Sequence, residues 1–318
     1  MESNTASIIS YLNLDASQRP ITTLPMHYTY GLSIINTHLA VGATLLLTEK
    51  SVLEQGFWDF FQKQGATSFG GVPYTYEMLD KLGLEQMDLP TLRTMTQAGG
   101  KLSLKLHKKF AAYAAKRQKE FVVMYGQTEA TARMAYLPAE KCIEKSGSMG
   151  IAVPGGRFEL VDTDGSVIVA PDTVGELVYY GENVTLGYAS RQSDLCEGDT
   201  RGGKLLTGDL AKRDADGYYY IVGRKKRFLK LFGNRIGLDA CEQLVRAAFP
   251  ETDCACVGED DRMHVFLTEE GAARQVKQYL AKQTKLHPSA FCVHTVAQIP
   301  KQDTGKIDYR DLEEKAGL

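Results

Sequence analysis

The segment KLLTGDLAKRDADGYYYIVGRKKRFLKLFGNRIGL, residues 204–238, decides how this chain is read. It opens on a short apolar run, Lys204 to Thr207, that stops at Gly208-Asp209. A tight turn at Asp214-Ala215-Asp216-Gly217 leads into the aromatic and β-branched run Tyr218 to Val222. Four of the five residues from Gly223 to Arg227 are cationic, and a second cluster, Gly233-Asn234-Arg235, follows. Strand, turn, strand, charged joint, strand is the order this spells. A carboxylate just before the joint and several cations on it suggest a site built where a large domain meets a small one.

The flanks of this segment differ in pattern. Upstream, residues 1–20 read as a helix running into a polar loop, and Ile21 to Met26 as a short strand. A helix over 32–42 follows, then a buried parallel strand at Ala43 to Thr48. Helical spacing over 53–64, a strand at Thr67 to Val72 and a helix at Tyr74 to Leu84 come next. A strand at 93–96 precedes a long helix that Ser103 opens as N-cap, and Phe121 to Met124 closes the series as a strand. Strand and helix alternating in this way predict a mostly parallel α/β sheet over 1–131. From 132 to 223 strands and turns dominate, which predicts a β-rich subdomain of hairpins. Residues 224–318 alternate again, with helices at 239–249 and 272–285 among short strands, and read as a small, mobile α+β domain.

Bulk properties narrow the function classes. The chain has 318 residues, a formal net charge of −2 and 24% charged residues. No global electrostatic argument favours nucleic acid. No apolar run reaches membrane-spanning length, and no basic segment leads an apolar core at the N-terminus. The six cysteines, at 142, 196, 241, 254, 256 and 292, lack the spacing of a zinc set. They read as reduced thiols of a cytoplasmic protein.

Several strands end in small or polar residues. These are Ala98-Gly99-Gly100, Tyr125-Gly126-Gln127-Thr128-Glu129 and Thr207-Gly208-Asp209. In an open parallel sheet, ligands gather at the carboxyl ends of strands, and glycine there admits a flat ring or a phosphate. Tyr125 can stack on a base, Thr128 can donate to a phosphate oxygen, Glu129 can hold Mg²⁺, and Asp209 can accept from a ribose diol. Each cluster is also an ordinary turn. Lys306, in PKQDTGK, reads either as a solvated surface residue or as a point charge brought to a phosphoryl group.

Together the clusters resemble the adenylate-forming (AMP-binding) superfamily of acyl- and aryl-CoA synthetases, peptide-synthetase adenylation domains and luciferases. The resemblance is carried by LPMHYTYG at 24–31, GGVPYTYEML at 70–79, AGGKLS at 98–103 and MYGQTEA at 124–130. GELVYYGENVTLGY at 175–188, LLTGDLAKRDADGYYYIVGRKKRFLKLFGNRI at 205–236 and PKQDTGKIDYRDL at 300–312 complete it. It implies an acid–thiol ligase that uses ATP and Mg²⁺ to turn a small carboxylic acid into an acyl-adenylate. The acyl group then passes to CoA or to the phosphopantetheine of an acyl carrier protein. Gly99, Gly100, Tyr125, Gly126 and Gln127 resemble adenine-site residues, Thr128 the phosphate contact, and Glu129 the Mg²⁺ ligand. Asp209 and Arg224 resemble the ribose pair, and Lys226 the hinge. Lys230 and Gly233 match the motif facing the pantetheine channel, and Lys306 resembles the lysine of the adenylation step. His27, Tyr28, Gly31 and Val72, with Gly99, are the candidate substrate pocket.

Two departures accompany the resemblance. Nothing in the sequence matches the family's Ser/Thr/Gly-rich phosphate loop, so the α/β subdomain is expected to be incomplete at its N-terminus and the chain to be inactive alone. After Gly233-Asn234-Arg235-Ile236, where the family usually shows Glu-Ile/Val-Glu, the chain has Ala240, Cys241 and Glu242, with Asp239 adjacent. The region after Met26 also lacks the Asp that holds an amino-acid substrate, which favours an acid without an α-ammonium group. A catalytically impaired AMP/ATP-binding protein and an amino-acid adenylation fragment are the alternatives.

Overall fold

The computed structural model describes residues 1–302 and 305–318. The chain divides into two compact units. One comprises Met1–Thr207 and Lys212–Tyr220, the other Gly208–Ala211 and Ile221–Leu318.

The first unit is built on a six-stranded sheet in the order β1-β2-β3-β4-β5-β6. β1 (Pro20–Ile21), β2 (Ser68–Gly71), β3 (Thr94–Gln97) and β4 (Glu120–Tyr125) run parallel. β5 (Ala135–Leu137) and β6 (Ile151–Ala152) add antiparallel pairs. Helices cover both faces, which is why the parallel strands are apolar on both sides. Phe121 and Val123 face one core, together with Phe57 and Phe61 of α3 (Gln55–Gln64), Tyr76 of α4 (Pro73–Lys81) and Phe110 of α5 (Leu104–Lys116). Val122 and Met124 face the other, with Ile8 and Leu12 of α1 (Glu2–Leu12) and Tyr30 and Ile34 of α2 (Thr29–Ala40). Ser103 caps α5, its hydroxyl accepting from the Leu106 N–H at 3.3 Å.

The β-rich stretch holds β7 (Arg157–Val161), β8 (Gly175–Tyr180), β9 (Lys204–Arg213) and β10 (Tyr219–Arg224), in a sheet of order β10-β9-β8-β7. The strand that begins at Lys204 does not stop at Gly208-Asp209. It continues to Arg213, with Gly208 taking φ +69°. Glycine carries this left-handed backbone without a Cβ penalty, so the strand passes through it.

The expected strand at Ala43 to Thr48 contracts to a single parallel bridge, Ile21 to Leu46. Leu46 is buried while Leu47 is exposed. The run is apolar enough for a strand, but Leu46 alone makes the bridge, while the Thr44 and Thr48 N–H groups go to Gln18 O (3.2 Å) and Thr22 Oγ1 (2.9 Å) beside β1.

In the second unit, β11 (Phe228–Leu231) and β12 (Asn234–Gly237) form a hairpin. β13 (Cys254–Glu259), β14 (Arg262–Leu267) and β15 (Phe291–Thr295) form a mixed sheet. α6 (Leu238–Ala248) and α7 (Ala273–Thr284) pack on one face through Cys241, Val245, Val276 and Leu280. α8 (Tyr309–Ala316) packs on the other through Leu312, against Ala255, Val257 and Phe266. The chain is therefore α/β with a mostly parallel sheet, a β-rich stretch and a small α+β part. No described helix is long and apolar enough to cross a membrane.

Candidate functional site

The parallel direction of β2, β3 and β4 sends the residues that follow them off one edge of the sheet. Those residues are Val72, Ala98 to Gly100, and Gly126 to Glu129. Gly99 sits at φ +82°, and a Cβ there would lie 2.5 Å from Tyr28 Oη and 3.0 Å from Val72 Cγ1. Tyr28, Val72 and Gly99 thus form one wall, and burial lifts the Tyr28 hydroxyl pKa. Gly100 beside them is exposed. His27 is exposed too. Gly31 is buried, and a Cβ on it would strike the Pro25 carbonyl, so the first turn of α2 requires glycine for packing.

Gln97 is a further candidate that the sequence did not single out. Fully buried at the end of β3, it donates from Nε2 to Ala98 O (3.2 Å) and Gly100 O (2.9 Å). A side-chain amide in this position fixes the Gly-Gly loop that would receive a base.

The loop after β4 is held from several sides. The Gln127 amide donates to Tyr125 Oη (3.4 Å) and Thr207 O (2.9 Å). Thr128 shares a hydroxyl hydrogen bond with Thr29 at 3.2 Å. Gly126 has no room for a Cβ, which would collide with the Ala132 carbonyl. Thr131 and Ala132 take φ of 52° and 87°, backbone that costs strain in residues with a side chain and that concentrates at functional turns.

Glu129 is half-buried at this turn. Its Oε1 accepts from the Tyr188 hydroxyl at 2.5 Å, and its carbonyl accepts from the Thr185 N–H at 2.8 Å. Arg201 lies over the Tyr188 ring, 4.7 Å from its centroid. Tyr188 ends the quoted GELVYYGENVTLGY motif, yet no sequence signal gave it a role. No group of three or more His, Cys, Asp or Glu residues is arranged for a metal among the described residues. A single carboxylate suits Mg²⁺, which keeps most of its waters and shares substrate phosphates, better than it suits zinc.

The second unit holds the other candidates. Asp209 is 3% exposed, and Arg224 Nε donates to its Oδ1 at 3.1 Å. The Lys225 N–H bonds Gly208 O at 2.7 Å, so the chain just past Arg224 is fastened beside Asp209. Lys226 is exposed. Lys230 is exposed on β11, whose backbone is tied at that residue by Asp260 (2.8 Å) and by the Asp261 N–H (2.8 Å). Gly233 sits at φ +80° in the turn between β11 and β12. Lys306 is exposed, and its carbonyl accepts from the Gln302 N–H at 2.8 Å. The Asp-Thr-Gly turn before it, 303–305, lies in part outside the described residues.

The loops gather at the carboxyl edge of a parallel α/β sheet, the edge at which such sheets take ligands. The AMP-binding enzyme family profile matches residues 2–189, and the chain belongs to that family. It is 28% identical over 310 residues to 4-coumarate--CoA ligase-like 4 of Oryza sativa subsp. japonica, covering 94% of this chain and 55% of that protein. It is 28% identical over 313 residues to peroxisomal OPC-8:0-CoA ligase 1 of Arabidopsis thaliana, covering 94% of this chain and 56% of that protein. The chain therefore spans about half the length of the curated relatives it matches. Among solved structures, o-succinylbenzoate CoA synthetase from Bacillus subtilis in complex with its acyl-adenylate intermediate superposes with a TM-score of 0.77. The identity is 20%, covering 98% of this chain and 63% of that one.

Proposed function

We propose that this chain carries the adenosine, acyl and lysine-bearing parts of an AMP-forming acid–thiol ligase. The observation that carries the reading is the delivery of Val72, Gly99-Gly100 and Tyr125 to Glu129 to one edge of a parallel sheet. In the first half-reaction a carboxylate oxygen attacks the α-phosphorus of ATP. A P–O bond to the acid forms, the P–O bond to pyrophosphate breaks, and an acyl-adenylate remains. Gly99, Gly100, Tyr125, Gly126 and Gln127 would seat the adenine, and Asp209 with Arg224 the ribose. Thr128 and Lys306 would stabilise charge on the phosphate oxygens. Glu129 would hold Mg²⁺, which when bound offsets phosphate charge as a Lewis acid.

In the second half-reaction a thiol sulfur attacks the acyl carbonyl and AMP leaves. Lys230 and Gly233 would face that thiol, and Lys226 would be the pivot that exchanges the Lys306 face for the Lys230 face. This assigns 1–131 and 132–223 to the core and 224–318 to the moving part. The relatives' names support CoA as the acceptor, with carrier-protein phosphopantetheine as the alternative. The candidate wall of His27, Tyr28 and Val72 carries no carboxylate for an α-ammonium group, which supports a fatty or aromatic acid. Four of the six cysteines are buried free thiols, which supports a reducing compartment such as the cytoplasm.

The test is acid-dependent exchange of labelled pyrophosphate into ATP by a full-length parent that supplies the phosphate loop this chain does not match, with fatty, aryl and amino acids offered in turn. Exchange with a fatty or aryl acid is the expected result. Exchange with amino acids alone would move the assignment to amino-acid adenylation. AMP binding without exchange from any acid would leave a nucleotide-binding protein and overturn the ligase reading.

A further inference from the structure

Arg227 lies one residue past the candidate pivot, and no role has yet fallen to it. Its side chain is 17% exposed and sits among α6, β13 and α8. The guanidinium pairs with Asp239 and with Glu242, the latter at 2.9 Å from Nη2. Nη2 also donates to the Cys256 carbonyl at 2.7 Å, while the Cys256 N–H donates to Glu242 Oε1 at 2.9 Å. β13 is an edge strand of its sheet, so the Arg227–Glu242 pair satisfies backbone groups that have no neighbouring strand. The Tyr309 ring covers the guanidinium at 3.8 Å, and its hydroxyl donates to Glu242 Oε2 at 3.3 Å. Arg246, 3.6 Å from Glu242, brings the cluster to two cations and two carboxylates.

The two ends of this network reach the two places where the proposed reaction needs control. At one end, the Asp239 carboxylate also accepts from the Arg224 backbone, and the Arg227 N–H bonds the Arg224 carbonyl at 3.1 Å. That fixes the joint on both sides of Lys226. At the other end, Tyr309 opens α8 three residues after Lys306. The intervening chain is braced by the Lys301–Ile307 bridge and by the Asp308 N–H on Pro300 O at 2.9 Å. Asp239, adjacent to the place where the family pattern loses a carboxylate, is one of the two acids that hold Arg227.

We propose that Arg227 is a positioning residue that locks the joint at 224–227 to the segment carrying Lys306, so that pivot and lysine move as one piece. The inference rests on the ligase reading for its purpose, but its physical content does not depend on that reading. Buried charges that satisfy one another are costly to part, so they transmit displacement where a solvated pair would not.

The first test needs no activity. Amide hydrogen exchange is compared in the protein and in Tyr309→Leu, which leaves the cations and carboxylates in balance and removes the ring over Arg227 together with the hydroxyl on Glu242. Exchange should rise by about tenfold or more both in 300–308 and in 221–227, with α7 and β14 unchanged. Tyr309→Phe, which keeps the ring over the guanidinium, should leave both segments near the parent. Faster exchange confined to α8 and the chain beside it, with 221–227 unmoved, would overturn the proposal. The second test uses the half-reactions. Arg227→Met should lower kcat for pyrophosphate exchange with little change in KM for ATP and with thioester formation from supplied acyl-adenylate retained. Arg227→Lys should restore part of the loss. Equal loss in both half-reactions would mean a merely structural role and overturn the proposal. If no acid supports exchange in the parent, the ligase reading fails, and hydrogen exchange in Tyr309→Leu still decides the lock.

Discussion

Asp209 is a buried carboxylate whose cationic partner, Arg224, is 63% exposed in its side chain. That asymmetry suits an acceptor fixed by the fold and a donor free to adjust around a ligand. Asp209→Asn preserves shape and removes charge. Hydrogen bonds to charged groups contribute about 1.5–3 kcal/mol, so AMP should bind roughly 10–100-fold more weakly by calorimetry. Unchanged affinity would remove Asp209 from the ribose role. Tyr188 presents the reverse case, since its hydroxyl occupies an oxygen of Glu129 that Mg²⁺ would use. Tyr188 is 72% exposed, so Tyr188→Phe deletes a solvent-screened hydrogen bond of about 0.5–1.5 kcal/mol, and Mg²⁺ should support ATP binding at roughly 2–10-fold lower concentration. Weaker Mg²⁺ dependence of the opposite sense would show that Tyr188 assists the metal. Asp209 and Arg224 were visible in the sequence because they sit inside short motifs with chemical meaning. Gln97, Tyr188 and Arg227 were not, because only the fold defines their contacts. Tyr188 meets Glu129 across 59 residues of chain, and Gln97 differs from any buried amide only through the carbonyls it holds.

At the scale of elements, the legible pieces were those with a strong period or a strong cap. α5 has both. Ser103 accepts the Leu106 N–H, and Leu106, Phe110, Ala111 and Ala114 line its buried side. Ser103→Ala should lower stability by about 0.5–2 kcal/mol, read as a fall in the urea midpoint with an unchanged slope. An unaltered midpoint would mean that packing alone holds the helix start. α8 went unread because its buried stripe is thin. Leu312 is its one buried residue, and the cap comes from Asp308, whose side chain accepts the Asp311 N–H at 3.3 Å. The apolar run at 43–48 erred in the other direction. Its composition suits a strand, but strand pairing is a property of neighbours, and composition cannot count them.

For the molecule as a whole, acid sensitivity follows from three buried imidazoles, two in the first unit and one in the second. His107 shows why. Its Nε2 lies 3.1 Å from the Cys142 carbonyl and must donate, while its Nδ1 accepts the Gly147 N–H at 3.3 Å. The neutral ring satisfies both contacts, and a second proton would set N–H against N–H. His38 keeps its Nδ1 on the Ile34 carbonyl at 2.8 Å, and burial, with the charge of Arg133 added, disfavours its cation. His264 faces His294 at 3.0 Å between ring nitrogens, a contact that needs one donor and one acceptor. Burial lowers the pKa of His38, His107 and His264 in the fold. An unfolded histidine titrates near 6.5. As pH falls through that value, the unfolded chain takes up protons that the folded chain refuses, so stability drops. Above it both states are neutral at these rings and their contribution is full. The urea midpoint should therefore be flat from about pH 8 to 7 and decline from about 6.5 toward 5.5, before most carboxylates titrate. His107→Gln, which offers a donor and an acceptor without a titration, should flatten part of that decline, with hydrogen exchange showing the gain in the first unit only. A midpoint that holds steady or rises between pH 7 and 5.5 would mean that these rings accept protons within the fold, and the argument from their hydrogen bonds would fail.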